Sequence, residues 1–331
     1  MLPLPLARYR FHCRALTPLN FPRYAGSTWR GAFGHALKKS VCVTRQPDCR
    51  DCLLWRSCAY SYIFETPPPE NTDILRKYPA APHPFIIHPE ATNSRGYQAG
   101  EPFSVDLTLI GQANARLPYL VHAWQKIGDW GIGGDKGRFD LESVEQQATP
   151  NADSKSCGAE WQTIHRRGDA LSALPPQTPP PMPAPNGQCA LTFHTPLRVR
   201  YRDRLMGVEN FSFRGLLTAL LRRLSLLCYF HGDTPLEIDF RTLIDQAESV
   251  TPLRTELRWF DWKRYSNRQK TEMHMGGLLG QVILEGQALA PFWPWLSAGQ
   301  WLHVGKGTVM GLGGYRVESL PESTNAPETR L

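Results

Sequence analysis

The chain has 331 residues, 41% of them hydrophobic and 11% aromatic, enough material for two cores of roughly 150 residues each. Lys and Arg outnumber Asp and Glu by 37 to 30, a formal net charge of +7, and a positive surplus favours a polyanionic partner, most simply nucleic acid. No run of about 18 apolar residues exists to span a membrane, and the N-terminal MLPLPLARYRFHCR lacks the charged-then-apolar order of a signal peptide. A cytoplasmic protein is expected, in which a disulfide framework is not expected for the eight cysteines.

Leu6 to Ala15 alternates as a first strand, and a helix is predicted from Ser27, a candidate N-cap, to about Lys39. Its buried face is Trp29, Phe33 and Leu37, while Arg30, Gly34 and Lys38 lie on another face and His35 falls between. Cys42, Cys49, Cys52 and Cys58 follow closely on one another, with C-x2-C at the centre. Four thiolates this close can hold Zn²⁺ tetrahedrally and stabilise a loop with little apolar material. Free thiols and an iron–sulfur cluster are the alternatives. Cys13, Cys157, Cys189 and Cys228 have no ligand spacing and read as core or loop residues.

Residues 66 to 102 read as a long proline-rich connection, Phe103 to Ile110 as a strand and Leu117 to Gly128 as a helix. Trp130 to Val144 then runs from a glycine loop, with Gly131, Gly133, Gly134 and Gly137, into a strand pattern. The proline-rich LPPQTPPPMPAP, extended and semi-rigid, sets the domain boundary. The expected division is an N-terminal domain at 1–173, a linker at 174–188, a C-terminal domain at 189–320 and a disordered tail at 321–331.

The second half repeats the order of the first: strand, helix, strands, helix, glycine loop, strand. Ala190 to Arg200 opens it, FSFRGLLTALLRRL matches STWRGAFGHALKK, Leu289 to Trp301 is the second helix, and Leu302 to Leu320 is the second glycine loop and strand. This half is also rich in cations mixed with aromatics. Arg198, Arg200, Arg214 and Arg222 precede LRWFDWKRYSNRQK, where Lys263, Arg264, Arg268 and Lys270 interleave with Trp259, Phe260, Trp262 and Tyr265. Cations for phosphates and rings for unstacked bases are what single-stranded RNA binding uses. A solvated arginine face beside a core aromatic cluster is the alternative. In the second loop Gly305, Gly307, Gly311 and Gly313 let backbone N–H groups approach an anion, and Lys306 is placed to meet a phosphate. GKGT at 305–308 is not a Walker A motif, because the loop precedes a strand and the full pattern is absent.

R-Y-S-N-R-Q-K (264–270), M-G-G-L-L-G (275–280) and L-H-V-G-K-G-T-V-M-G-L-G-G-Y (302–315) resemble the CRISPR repeat-processing endoribonucleases of the RAMP superfamily. W-R-G-A-F-G-H-A-L-K, the four cysteines and Y-S-Y-I-F-E (60–65) are similar to one subgroup of them. The resemblance implies an α+β fold of two tandem ferredoxin-like, RRM-type domains, here with the cysteine loop inserted in the first. It also implies binding of CRISPR repeat RNA in antiviral defence and metal-independent cleavage of precursor crRNA by 2′-OH attack. A role beside other CRISPR effector subunits follows from the same likeness, and a non-catalytic RAMP subunit that binds crRNA is the runner-up. Matched to the family's His/Tyr/Lys set, His35 becomes general acid or base, Lys38 or Lys39 the phosphorane stabiliser and Tyr24 an orienting hydroxyl. His274 and His303 are the rival histidines.

Overall fold

In a computed structural model the protein is described over residues 2–68, 81–89, 96–148, 160–180, 182–266 and 271–320, apart from the side chains of 263–266 and 271–273. The first strand, β1 (Leu6–Ala15), buries Tyr9, Phe11 and Cys13 on one face and turns Arg8, Arg10, His12 and Arg14 to the other, the two-residue period of a strand with one covered face. It sits in the middle of an antiparallel sheet with β2 (Phe85–His88), β3 (Pro102–Ile110), β4 (Phe139–Ala148) and β5 (Glu160–Arg166), in the order β2-β3-β1-β4-β5. Helices α1 (Gly26–Val41) and α2 (Leu117–Trp130) cover its apolar face. Trp29 of α1 lies parallel to Trp124 of α2 at 5.5 Å, and Phe33 tilts against the same ring. Aromatic area thus welds the two helices together.

The second half is built on β6 (Gln188–Leu197), followed by a small hairpin of β7 (Arg200–Tyr201) and β8 (Arg204–Leu205). Then come α3 (Phe213–His231), α4 (Phe240–Gln246), β9 (Arg254–Ser266), β10 (Thr271–Glu285), α5 (Trp293–Leu302) and β11 (Tyr315–Ser319). The sheet order β11-β6-β10-β9 repeats that of β4-β1-β3-β2 in the first half. Two tandem ferredoxin-like α+β units therefore make up the chain, as the internal repeat predicts.

Three local expectations change. Ser27 does not cap α1; the helix begins at Gly26, with Ala25 at the N-cap and no side-chain cap bond. Ser212 does cap α3, accepting from the Gly215 N–H at 3.1 Å, as a serine in that position should. The 66–102 stretch is not all connection, because FIIH within it is β2, a four-residue strand too short for alternation to reveal. The segment around Leu174 and Gln177 lies on the first domain: the Leu174 N–H donates to Gln146 Oε1 at 2.9 Å, and Gln177 pairs with Leu6. Cys13, Cys189 and Cys228 are buried free thiols; Cys157 and the tail lie outside the described residues. Among the described residues no helix is long and apolar enough to cross a membrane.

The two domains share apolar contacts. Leu2, Leu4, Ile86 and Ile110 belong to the cluster built on α3 and the second sheet. A separate cluster joins Tyr24 to Phe260, Trp262, Leu279, Met310 and Leu312. Behind these contacts His303 is buried against His88, with ring centroids 4.9 Å apart, and its Nδ1 donates to the Leu312 carbonyl at 3.1 Å. Burial, with His194, Arg8 and Arg223 nearby, pushes its pKa down from 6.5 to about 3, because a buried imidazole is disfavoured in its charged form. His231 is likewise pushed down to about 4 by burial.

Between these values and the ordinary histidine value the unfolded chain binds more protons than the folded one. The stabilisation is therefore complete above about pH 6.5 and is lost as pH falls. Acidification from about pH 7 to about pH 5 is expected to cost about 2 kcal/mol for each such histidine. The backbone at His303 has φ +57° and ψ 170°, outside the left-handed helical region that non-glycine residues such as Asn favour. His303→Asn removes the titrating ring, keeps a side-chain N–H donor for the Leu312 carbonyl and should shallow the slope of melting temperature against pH. Superimposable slopes for the two proteins would contradict this.

Candidate active site

The groove that gathers the chemistry lies on the helical side of the first domain, between α1 and the end of α2, with a volume of about 760 Å³. Ser27, His35 and Lys39 line it from α1, Trp130 from the end of α2, and Gly133 and Lys136 from the first glycine loop. His35 and Lys39 are exposed, and one helical turn apart they face the same way. The Lys39 ammonium sits 4.0 Å over the centre of the Trp130 ring, and the His35 ring meets that indole edge-on at 6.4 Å. The first of these contacts is a cation–π pair.

The facing wall is a tight glycine turn. Gly131 has a φ of +81°, and a Cβ there would lie 2.2 Å from the Lys136 carbonyl oxygen. Only glycine can end α2 in this way. Ile132 and Gly137 exchange backbone hydrogen bonds at 2.8 and 3.0 Å. That closes the turn and leaves Lys136, itself at φ +54°, exposed at the rim of the groove. Neither Lys136 nor Trp130 is among the residues predicted for the site. The available signal is a lysine inside this glycine loop, mirroring Lys306 in its copy.

The other members of the predicted set go elsewhere. Lys38 leans away from His35: its amine is 3.5 Å from the Pro47 carbonyl and 5.4 Å from the Tyr60 ring. Tyr24 is buried, donates to the Met310 carbonyl at 2.8 Å and packs on Trp262 at 4.9 Å. Burial drives its pKa upward. Its hydroxyl is spent on joining the domains, which corrects the orienting role expected for it. His303 is likewise a buried loop residue. His274 is exposed on the β9–β10 hairpin with Nδ1 3.5 Å from Asp261, and it does not line the groove.

The second glycine loop is more joint than cradle. Gly311 and Gly313 are buried, with φ of +87° and +72°, and a Cβ would collide with the carbonyls of Ile87 and Val304 respectively. They have no surface to offer an RNA, a correction to the expected contact. Gly305 and Gly307 are partly open, and Lys306 is exposed with its N–H on the Arg198 carbonyl at 2.8 Å. Arg198 bonds the Gly276 carbonyl, Arg200 the Asp203 carbonyl at 2.8 Å, and Arg214 the carboxylates of Glu248 and Asp245. Each of these three cations thus has a protein partner in the structure. Arg222 is exposed on α3. Lys263 and Arg264 lie on β9, but their side chains, with Arg268 and Lys270, fall outside the described residues.

Cys42, Cys49, Cys52 and Cys58 all line one cavity of about 20 Å³ beyond the end of α1, and Thr44 Oγ1 lies 3.3 Å from Cys52 Sγ. Among the described residues no group of three or more His, Cys, Asp or Glu side chains is drawn to metal-holding distances. Four soft thiols facing one small space are nonetheless a donor set suited to Zn²⁺.

Comparison with known proteins places this geometry. Residues 4–177, more than half of the chain, match the AF_1859_N family model, an N-terminal domain. Residues 191–315 match the model of the CRISPR-associated endoribonuclease Cas6. A protein of Archaeoglobus fulgidus is 22% identical over 127 residues, 38% of this chain and 41% of that relative, so the match spans under half of its length. A Cas6 product complex superposes with a TM-score of 0.54 at 13% identity, over 95% of this chain and 99% of that one. Thermus thermophilus Cas6 superposes at 0.51 and 14%, over 95% and 99%. A chain of a partial Cas6-RT-Cas1–Cas2 complex gives 0.54 at 15%, over 96% of this chain but only 47% of that one. At these identities the solved structures speak to the fold, and the family matches speak to kinship. The chain belongs to the family defined by the AF_1859_N N-terminal domain, and its C-terminal part, residues 191–315, is similar to the CRISPR-associated endoribonuclease Cas6.

Proposed function

We propose that this protein binds CRISPR repeat RNA and cleaves precursor crRNA in the groove between α1 and the first glycine loop. One observation carries the reading: within a Cas6-type fold, one open groove holds an imidazole, His35, beside two lysines, Lys39 and Lys136, on facing walls. Intramolecular RNA cleavage needs little more. The 2′-oxygen attacks the adjacent phosphorus as its proton passes to a base. The bond to the 5′-oxygen breaks, and that oxygen takes up a proton, leaving a 2′,3′-cyclic phosphate and a 5′-hydroxyl.

Histidine titrates near neutrality as a residue type and suits either proton transfer. Lys39 and Lys136 supply positive charge for the phosphorane oxygens, in a groove walled partly by apolar surface, where such charge acts more strongly than in bulk water. No metal ion is required by this scheme. Lys306, exposed on the second loop, supports a phosphate contact farther along the RNA, which positions the substrate without reading its sequence. The four-thiol cavity supports a structural Zn²⁺ that would fold the 42–58 loop against the end of α1.

Incubated in EDTA, the protein is expected to cut a labelled CRISPR repeat RNA and to spare the same RNA carrying a 2′-deoxy at the cut position. Cleavage of both would contradict the 2′-OH mechanism, and tight binding without cutting would make the chain an RNA-binding RAMP subunit. Metal analysis should find about one zinc per chain in the wild type and a large loss in Cys49→Ser. Equal metal content, or none in either, would remove the zinc from the account.

A further inference from the structure

The contact between Lys39 and Trp130 bears on how the groove works, and the inference rests on the nuclease reading given above. A lysine at an exposed helical position has four rotatable bonds and gives up rotamer entropy to hold one place. Lys39 is held nonetheless, with its ammonium 4.0 Å above the Trp130 ring centre. Trp130 is the last residue of α2, and the chain turns sharply behind it at Gly131, whose N–H bonds the Ile127 carbonyl at 2.9 Å. The indole is 36% exposed, large for a residue so apolar, and it borders the groove instead of filling the core. The His35 ring stands nearly perpendicular to it, at 74°.

We propose that Trp130 is a positioning residue of the cleavage reaction: its ring holds the Lys39 ammonium over the groove, on the side where His35 stands, before RNA arrives. A preorganised cation costs no reorientation when phosphorane charge develops, whereas a free lysine must be collected at that moment. The ring quadrupole supplies the attraction without neutralising the charge, which a carboxylate partner would do. This separates Lys39 from Arg214, which is committed to Glu248 and Asp245.

The experiment is a double-mutant cycle read by single-turnover cleavage of repeat RNA at saturating protein, with Kd measured in parallel. Trp130→Leu keeps apolar bulk and removes the ring; Trp130→Phe restores an aromatic face. Trp130→Leu is expected to slow cleavage about threefold to fivefold, the scale of a solvent-exposed cation–π contact, with Kd within about twofold of wild type. Trp130→Phe should recover most of the rate. In a Lys39→Ala background the Leu substitution should cost nothing further, because Trp130 acts through Lys39. Independent, multiplying losses would overturn the proposal, as would a Phe variant no better than Leu or a loss confined to Kd. Thermal melts of each variant separate a folding defect from a rate defect, and a Leu variant that melts early leaves the Phe and Lys39→Ala comparison to decide. A wild type that binds but never cuts would remove the nuclease reading and this proposal with it; cutting with multiplying losses would remove this proposal alone.

Discussion

The close approach of the second glycine loop to the start of α1 is the contact on which the rest of the molecule depends. A Cβ on Gly26 would stand 2.0 Å from the Met310 carbonyl oxygen, and that same carbonyl accepts the Tyr24 hydroxyl. The tip of the loop reaches this position because Gly307 and Gly311 take positive φ on either side of residues 308–310. Around it Phe260, Trp262 and Leu312 exclude water, and the Arg23 guanidinium covers the Phe260 ring at 4.4 Å. The helix that carries His35 and Lys39 is thus fixed at its first turn to the opposite domain, and at its middle to Trp124 of its own.

That arrangement divides labour between the two glycine loops. Both loops are backbone devices that let chain pass close to chain. The second spends its closest approaches on protein, at Val304, Arg198 and Ile87, and leaves Lys306 outside. The first spends its approaches on closing a turn and leaves Lys136 facing the groove. On the C-terminal domain Arg214 is tied to two carboxylates and Arg198 to a backbone carbonyl. The net charge of +7 does not by itself mark which cations would meet RNA.

Periodicity exposed the architecture because both domains bury one face of each long element. Tyr9, Phe11 and Cys13 alternate on β1, and Trp29, Phe33 and Leu37 repeat along α1, so order and element type could be read twice over. β2 escaped because three apolar residues and a histidine among prolines carry no period. At the site, His35 and Lys39 were visible as a helical pair. Trp130 and Lys136 lie far away in the sequence and meet them only through the packing of α2 on α1. Tyr24 shows the opposite failure: a tyrosine near a catalytic helix fits an active-site role by residue type, and only its burial and its bond to Met310 assign it to the domain joint.

The central claim is that the imidazole of His35 serves the chemistry of this groove and not the capture of RNA. The most direct test compares wild type and His35→Ala for single-turnover cleavage of a repeat RNA and for its affinity. The account predicts a rate lower by about two to four orders of magnitude with nearly unchanged Kd. An unchanged rate would place the chemistry at another residue, and a rate lost only in step with affinity would make His35 a binding group.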